Sequence, residues 1–178
     1  MSGHIVLVGL SGSGKSAAGR RLSTVLARPL YDTDVLLAAR AGQAVPDLLR
    51  ADAARFRALE EEVVAKACAA PAGVIATGGG VILSPRNRAA LARDNHVVWL
   101  RASVPTLLAR LRGGEERPLL AGDAAARLGA LATERAPLYA ACATMVVDVG
   151  NATIEECAAR IVADLGLGAR VGEAKVWS

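Results

Sequence analysis

Aromatic side chains are scarce in this chain: one Phe, two Trp and two Tyr amount to 3% of 178 residues. With hydrophobic residues at 53%, the core must be built from Ala, Val, Leu and Ile. There are three cysteines, Cys68, Cys142 and Cys157. They form no close-spaced pair, and their odd number excludes a disulfide framework as the organising device. Each is expected to be small core filler in a reducing compartment. Histidine is limited to His4 and His96, each just ahead of an apolar stretch, and neither suggests a metal site. No apolar run approaches the roughly 20 residues of a membrane span. The start Met1-Ser2-Gly3-His4 lacks the basic character of a secretory signal. A soluble, cytoplasmic protein is expected. The net charge of +4 suits anionic substrates, but it is spread without a Lys/Arg-rich tract. Neither nucleic acid nor membrane is expected as a partner.

Lysine is also rare: it occurs at 15, 66 and 175, so 18 of the 21 basic residues are arginine. A lysine inside a glycine-rich loop is conspicuous against that background, and Lys15 is one. It stands in Gly9-Leu10-Ser11-Gly12-Ser13-Gly14-Lys15-Ser16, between the apolar run Ile5-Val6-Leu7-Val8 and a stretch of helical spacing from Ala17 to Leu22. Strand, glycine loop and helix in that order form a phosphate-binding unit. Glycines let backbone N–H groups turn inward around an anion, and the helix start adds its free N–H groups and the positive end of its dipole. Lys15 would reach the β- and γ-phosphates of a nucleotide, and the Ser16 hydroxyl would ligate Mg²⁺.

Short apolar runs alternate with helical patterns along the whole length, which predicts an α/β fold with a parallel sheet covered on both faces. Strands are expected at about 4–8, 29–32, 73–76, 96–100 and 144–148. Ligands in such sheets sit beyond the carboxyl ends of the strands. There the second strand ends in Tyr31-Asp32-Thr33-Asp34. If the extended conformation persists, Asp32 and Asp34 share one side. One carboxylate could then hold a metal-bound water while the other accepts a proton from an attacking hydroxyl. Alternatively, Thr33 or Asp34 caps a helix through Val35, Leu36 and Leu37. The phosphate loop upstream favours chemistry.

Residues 47–70 read as one or two helices with Phe56, Leu59, Val63 and Ala67 on an apolar stripe. Arg57 lies off the stripe, three and four residues before Glu60 and Glu61. Local sequence favours a solvated helical ion pair there. After the third strand come Thr77-Gly78-Gly79-Gly80, whose glycines would expose backbone N–H groups to a ligand, and then Val81-Ile82-Leu83 and a helix start at Ser84-Pro85. Residues 112–123 break the apolar periodicity, with glycines at both ends and Arg117 in the middle. That pattern suits a mobile flap able to close over a nucleotide and neutralise charge on a phosphoryl group. A long helical stretch at about 124–142 contains Pro137, expected to bend or interrupt it and to fix where Arg135 points. One domain over 1–165 is expected, followed by a flexible tail at 166–178.

Six of these pieces together resemble the shikimate kinase family over about residues 4 to 165. They are residues 9–16, Asp32-Thr33-Asp34, Phe56-Arg57-Ala58-Leu59-Glu60, Gly78-Gly79-Gly80, Arg117-Pro118-Leu119-Leu120 and Arg135-Ala136-Pro137-Leu138-Tyr139. The first is specific alone; all six in order are highly specific. Two places depart from the family pattern: Ala58 stands where a second arginine often does, and Gly150-Asn151-Ala152-Thr153 lacks a proline seen in some relatives.

The resemblance implies a three-layer P-loop kinase fold and transfer of the ATP γ-phosphoryl group to the 3-hydroxyl of shikimate, with Mg²⁺. It implies that Gly12, Ser13, Gly14, Lys15, Ser16 and Ala17 bind ATP, with Arg110 against adenine and Arg117 as the lid arginine. Ser16 and Asp32 would serve the metal, Asp32 through water. Asp34 would act on the substrate hydroxyls as base, making Lys15, Asp34 and Arg117 the catalytic set. Arg57 and Arg135 would hold the substrate carboxylate, Glu60 would position Arg57, and Gly78, Gly79 and Gly80 would line the substrate. A monomer is expected. Two other readings stay open: a kinase for another polyol acid such as gluconate, and a non-catalytic ligand-sensing domain of a transcription regulator, which would need a DNA-binding segment not expected here.

Overall fold

The computed structural model describes residues 3–112 and 123–167. Strand β1 (Ile5–Val8) lies at the centre of a five-stranded parallel sheet in the order β2-β3-β1-β4-β5, with β2 Leu30–Asp32, β3 Val74–Ala76, β4 His96–Arg101 and β5 Met145–Asp148. A strand buried on both faces needs apolar residues at every position, and Ile5, Val6, Leu7 and Val8 are all fully buried. Alternation along β1 sorts them to opposite faces. Ile5 and Leu7 pack with Ala18 and Leu22 of α1 (Lys15–Leu26) and with Cys157, Ala158 and Ile161 of α8 (Ile154–Asp164). Val6 and Val8 pack with Val64 and Ala67 of α4 (Ala53–Ala69), Leu91 of α5 (Pro85–Ala92), Leu107 of α6 (Val104–Arg112) and Tyr139 of α7 (Ala124–Cys142). Two helical layers thus sandwich the sheet. Each fully buried aliphatic side chain contributes about 1.5–3 kcal/mol by leaving water. Cys142 and Cys157 are buried in these cores and Cys68 is half-buried, all three as thiols.

A third, smaller cluster joins Leu37 of α2 (Thr33–Ala41), Leu48 of α3 (Val45–Ala51), and Phe56 and Val63 of α4. This helical outrigger stands beside the edge strand β2. Residues 47–70 are therefore two helices, separated where Asp52 accepts from the Arg55 N–H at 2.9 Å and starts α4.

The register aligns Asp32 with Ala76, and Ala76 with Leu7. Consequently the chain leaves β1, β2 and β3 at one level of the carboxyl edge, and the three following loops meet there. Helix α7 runs unbroken through Pro137. Of the two expected effects, a bend or an interruption, the interruption does not occur: proline removes one N–H from the ladder, while Leu128, Tyr139 and Cys142 anchor the helix in the core on both sides of it. Among the described residues no helix is long and apolar enough to cross a membrane. The flap expected at 112–123, with Arg117, lies outside the described residues except at its two ends, as does the tail from 168 onward.

Candidate active site

Gly9, Gly12 and Gly14 carry the phosphate loop through φ values of +144°, +85° and +90°. Two of them are also sterically confined. A Cβ on Gly9 would lie 2.5 Å from the Leu100 carbonyl oxygen, and one on Gly12 would lie 3.0 Å from Leu111 Cγ. Helix α1 then starts at Lys15 with Gly14 as its N-cap and no side-chain cap. Its first-turn N–H groups, including those of Ser16 and Ala17, are left for a ligand. Lys15 is only 7% exposed and curls back to donate from Nζ to the Leu10 carbonyl at 2.9 Å. The Ser13 hydroxyl is buried without a partner among the described residues. Uncapped amides, an orphaned hydroxyl and a buried ammonium together fit a polyphosphate.

The expectation that Asp32 and Asp34 alternate on an extended strand fails. Strand β2 stops at Asp32, which becomes the N-cap of α2 and accepts from the N–H groups of Asp34 (3.1 Å) and Val35 (3.4 Å). The cap is Asp32 rather than Thr33 or Asp34, because its side chain reaches the two orphan amides of the new helix. Asp34 stands in the first turn, exposed to the cleft, with its carboxylate against Gly78: a Cβ there would lie 2.6 Å from Asp34 Oδ1. Thr33, between them, is buried and accepts from the Gly78 N–H at 3.1 Å. The expectation that all three glycine amides face a ligand is thus corrected for Gly78. Among the described residues no partner is found for the Gly79 and Gly80 amides.

Arg57 also departs from the local reading. Instead of a solvated pair, Arg57 Nη1 donates to Glu60 Oε2 at 2.7 Å, and that glutamate is only 3% exposed. Arg57 Nη1 further reaches the Gly80 carbonyl at 3.3 Å, and a Cβ on Gly80 would lie 2.9 Å from both terminal guanidinium nitrogens. Burial pushes the Glu60 carboxyl above its ordinary range. Arg57 and Arg135 oppose that shift, and Asp34 adds to it. Glu61 turns elsewhere, accepting from the Ser84 hydroxyl at 2.7 Å.

From α7, Arg135 Nη1 donates to the Gly79 carbonyl at 3.1 Å, and its Nε is buried with no partner among the described residues. Residues 78–80 therefore gather Asp34, Arg57 and Arg135 from three helices into one cleft. Arg110 is not part of this group. It donates from Nη2 to the Val149 and Gly150 carbonyls at 2.6 and 3.2 Å, tying α6 to the loop after β5. Among the described residues no group of three or more His, Cys, Asp or Glu could hold a metal ion. Ser16 and Asp32 offer only hard oxygen donors, which suit a magnesium ion arriving with phosphates.

Two contributors escaped the sequence reading: Thr33, hidden between the carboxylates, and Tyr139, whose hydroxyl donates to the Gly79 carbonyl at 2.6 Å. The signal for Tyr139 was its place one helical turn after Arg135.

The model of the family described as shikimate kinase matches residues 11–166. A shikimate kinase of Symbiobacterium thermophilum is 46% identical over 166 residues, which span 91% of this chain and 95% of that protein. One of Thermobifida fusca is 44% identical over 161 residues, 90% of this chain and 93% of that protein. A solved shikimate kinase from Acinetobacter baumannii in complex with shikimate superposes with a TM-score of 0.87 at 29% identity, covering 96% of this chain and 97% of that one. A sugar kinase from Janibacter, at 17% identity and a TM-score of 0.62 over 94% of this chain and 96% of that one, shares the fold alone.

Proposed function

The chain belongs to the shikimate kinase family, and on that premise we propose that it transfers the γ-phosphoryl group of ATP to the 3-hydroxyl of shikimate, giving shikimate 3-phosphate and ADP. One observation carries this reading: Asp34, Arg57 and Arg135 converge on residues 78–80, beside the phosphate loop. A small hydroxy acid needs guanidinium groups for its carboxylate at one end and an aspartate for its hydroxyls at the other. The cleft offers both on a backbone of glycines.

The nucleotide triphosphate lies in the loop of Gly12, Ser13, Gly14, Lys15, Ser16 and Ala17. Lys15 exchanges the Leu10 carbonyl for phosphate oxygens, bringing its charge to the β- and γ-phosphates. The Ser16 hydroxyl and, through water, Asp32 would hold magnesium, which would neutralise charge on the phosphates when bound. Arg57, fixed by Glu60, and Arg135 bind the acceptor carboxylate. Asp34 orients the acceptor hydroxyl and takes its proton as the oxygen attacks phosphorus. Arg110 serves the adenine side and Arg117 the transferring group. The enzyme acts in the cytoplasm as a monomer.

An ADP-release assay with shikimate and with gluconate tests the reaction, and turnover of gluconate alone defeats it. Asp34→Asn keeps the phosphate loop but removes the base. Its kcat should fall by roughly 100-fold or more, with ATP affinity unchanged by calorimetry. Near-normal turnover in that variant removes Asp34 from the mechanism.

A further inference from the structure

Tyr139 has no part in the chemistry above, yet among the described residues it is the largest fully buried side chain, only 1% exposed. Its ring stacks on Trp99, with centroids 5.6 Å apart and planes at 25°. Its hydroxyl donates to the Gly79 carbonyl at 2.6 Å, and Arg135 Nη1 donates to the same oxygen at 3.1 Å. Two donors use both lone pairs of that carbonyl.

The consequence follows from peptide geometry. No cis peptide bond occurs among the described residues. In a trans peptide the carbonyl and the following N–H point in opposite directions. Pinning the Gly79 carbonyl toward α7 therefore turns the Gly80 N–H away from α7. Three successive glycines would otherwise sample many orientations. The turn is tied at two further points, where Thr33 accepts the Gly78 N–H at 3.1 Å and the Gly80 carbonyl accepts the Leu83 N–H at 3.0 Å.

We propose that Tyr139 is a positioning residue for the acceptor pocket: its hydroxyl locks the Gly79–Gly80 peptide so that the Gly80 N–H stays presented to a bound hydroxy acid. The proposal rests on the reading of residues 78–80 as the acceptor-binding turn. Tyr139 also keeps the Gly79 carbonyl satisfied when Arg135 turns its guanidinium to the substrate carboxylate. Without that hydroxyl, the same movement would leave a carbonyl with no donor. Burial pushes the phenol up to about 12, against the nearby Arg135, so the hydroxyl keeps its proton across the neutral range.

The test is Tyr139→Phe, which retains the ring over Trp99 and deletes only the donor. The expected result is a KM for shikimate raised roughly three- to tenfold, with kcat and the KM for ATP within about twofold. The backbone amide order parameter of Gly80, measured by NMR relaxation, should fall in the same variant. Trp99→Phe, which trims the stack but keeps the hydroxyl, should lower Tm and leave the KM for shikimate unchanged. An unchanged KM or an unchanged Gly80 order parameter in Tyr139→Phe overturns the proposal. So does an equal KM rise in Trp99→Phe, because packing would then be the cause. If the wild-type chain does not turn over shikimate, the function proposed above fails by itself. The order parameter then still decides whether Tyr139 locks the turn.

Discussion

The phosphate loop after β1 and the glycine turn after β3 leave neighbouring parallel strands at the same level, yet they are held in contrasting ways. Lys15 closes its loop on Leu10, five residues away. The turn at 78–80 is fixed by Arg57, Thr33, Arg135 and Tyr139, which are 23, 45, 56 and 60 residues distant. A loop that carries its function in its own backbone tolerates change elsewhere. A turn held by remote side chains passes distant changes on to the acceptor, because its supports come from three different helices.

Placing the same substitution in both loops gives the largest effect and breaks the symmetry between them. Alanine at Gly78 would put a Cβ 2.6 Å from Asp34 Oδ1, the far end of a flexible side chain that must then shift. Displacing a base by about 1 Å can lower turnover roughly 100-fold. Gly78→Ala should therefore lose kcat on that scale while Tm and ATP affinity hold. Gly12→Ala should do the reverse: φ is +85° there and the Cβ would press on Leu111, so both ATP affinity and Tm should drop. Matching losses of ATP affinity in the two variants would show that the loops act as one unit.

The same contrast explains what could be read from the sequence. The phosphate loop, the strands and the division into helices follow from short-range signals, namely glycine spacing and the apolar period. The extended Asp32–Asp34 pair did not form, because capping α2 satisfies two amides at once, an effect that alternation along a strand does not register. The pair of Arg57 and Glu60 looked solvated because nothing within α4 reveals that Glu60 is buried and that Arg57 reaches the Gly80 carbonyl. Pro137 looked like a break because local propensity cannot weigh the burial of Tyr139 and Cys142.

Glu60 sharpens the comparison further, since its hydrogen bond reaches the acceptor turn through Arg57. Glu60→Gln should raise the KM for shikimate roughly tenfold by weakening a charge-assisted bond, with kcat and ATP affinity close to wild type. It should also change the response to pH. Burial holds the carboxyl above its ordinary value of 4.5, so the folded protein binds this proton more tightly than the unfolded chain. The stability from this group is complete below that ordinary value and is lost as pH climbs through the raised one. The Tm of wild type minus that of Glu60→Gln should therefore shrink as pH rises from acid toward neutrality. A difference that grows over the same range contradicts the burial argument.

The smallest effect probes the scaffold that carries the acceptor residues. Gly129 lies inside α7, six residues before Arg135, and no described atom lies within 4 Å of a Cβ added there. Glycine in a helix interior costs about 0.5–1 kcal/mol relative to alanine, because the unfolded chain has more freedom to lose. Gly129→Ala should therefore raise Tm by roughly 1–4 °C for a chain of this size. Neither loop is touched, so the KM values for shikimate and ATP should both stay within experimental error. If the KM for shikimate falls together with the rise in Tm, fluctuation of α7 already weakens the grip of Arg135 and Tyr139 on Gly79. The acceptor turn would then depend on the stability of a whole helix, a dependence that the self-contained phosphate loop does not share.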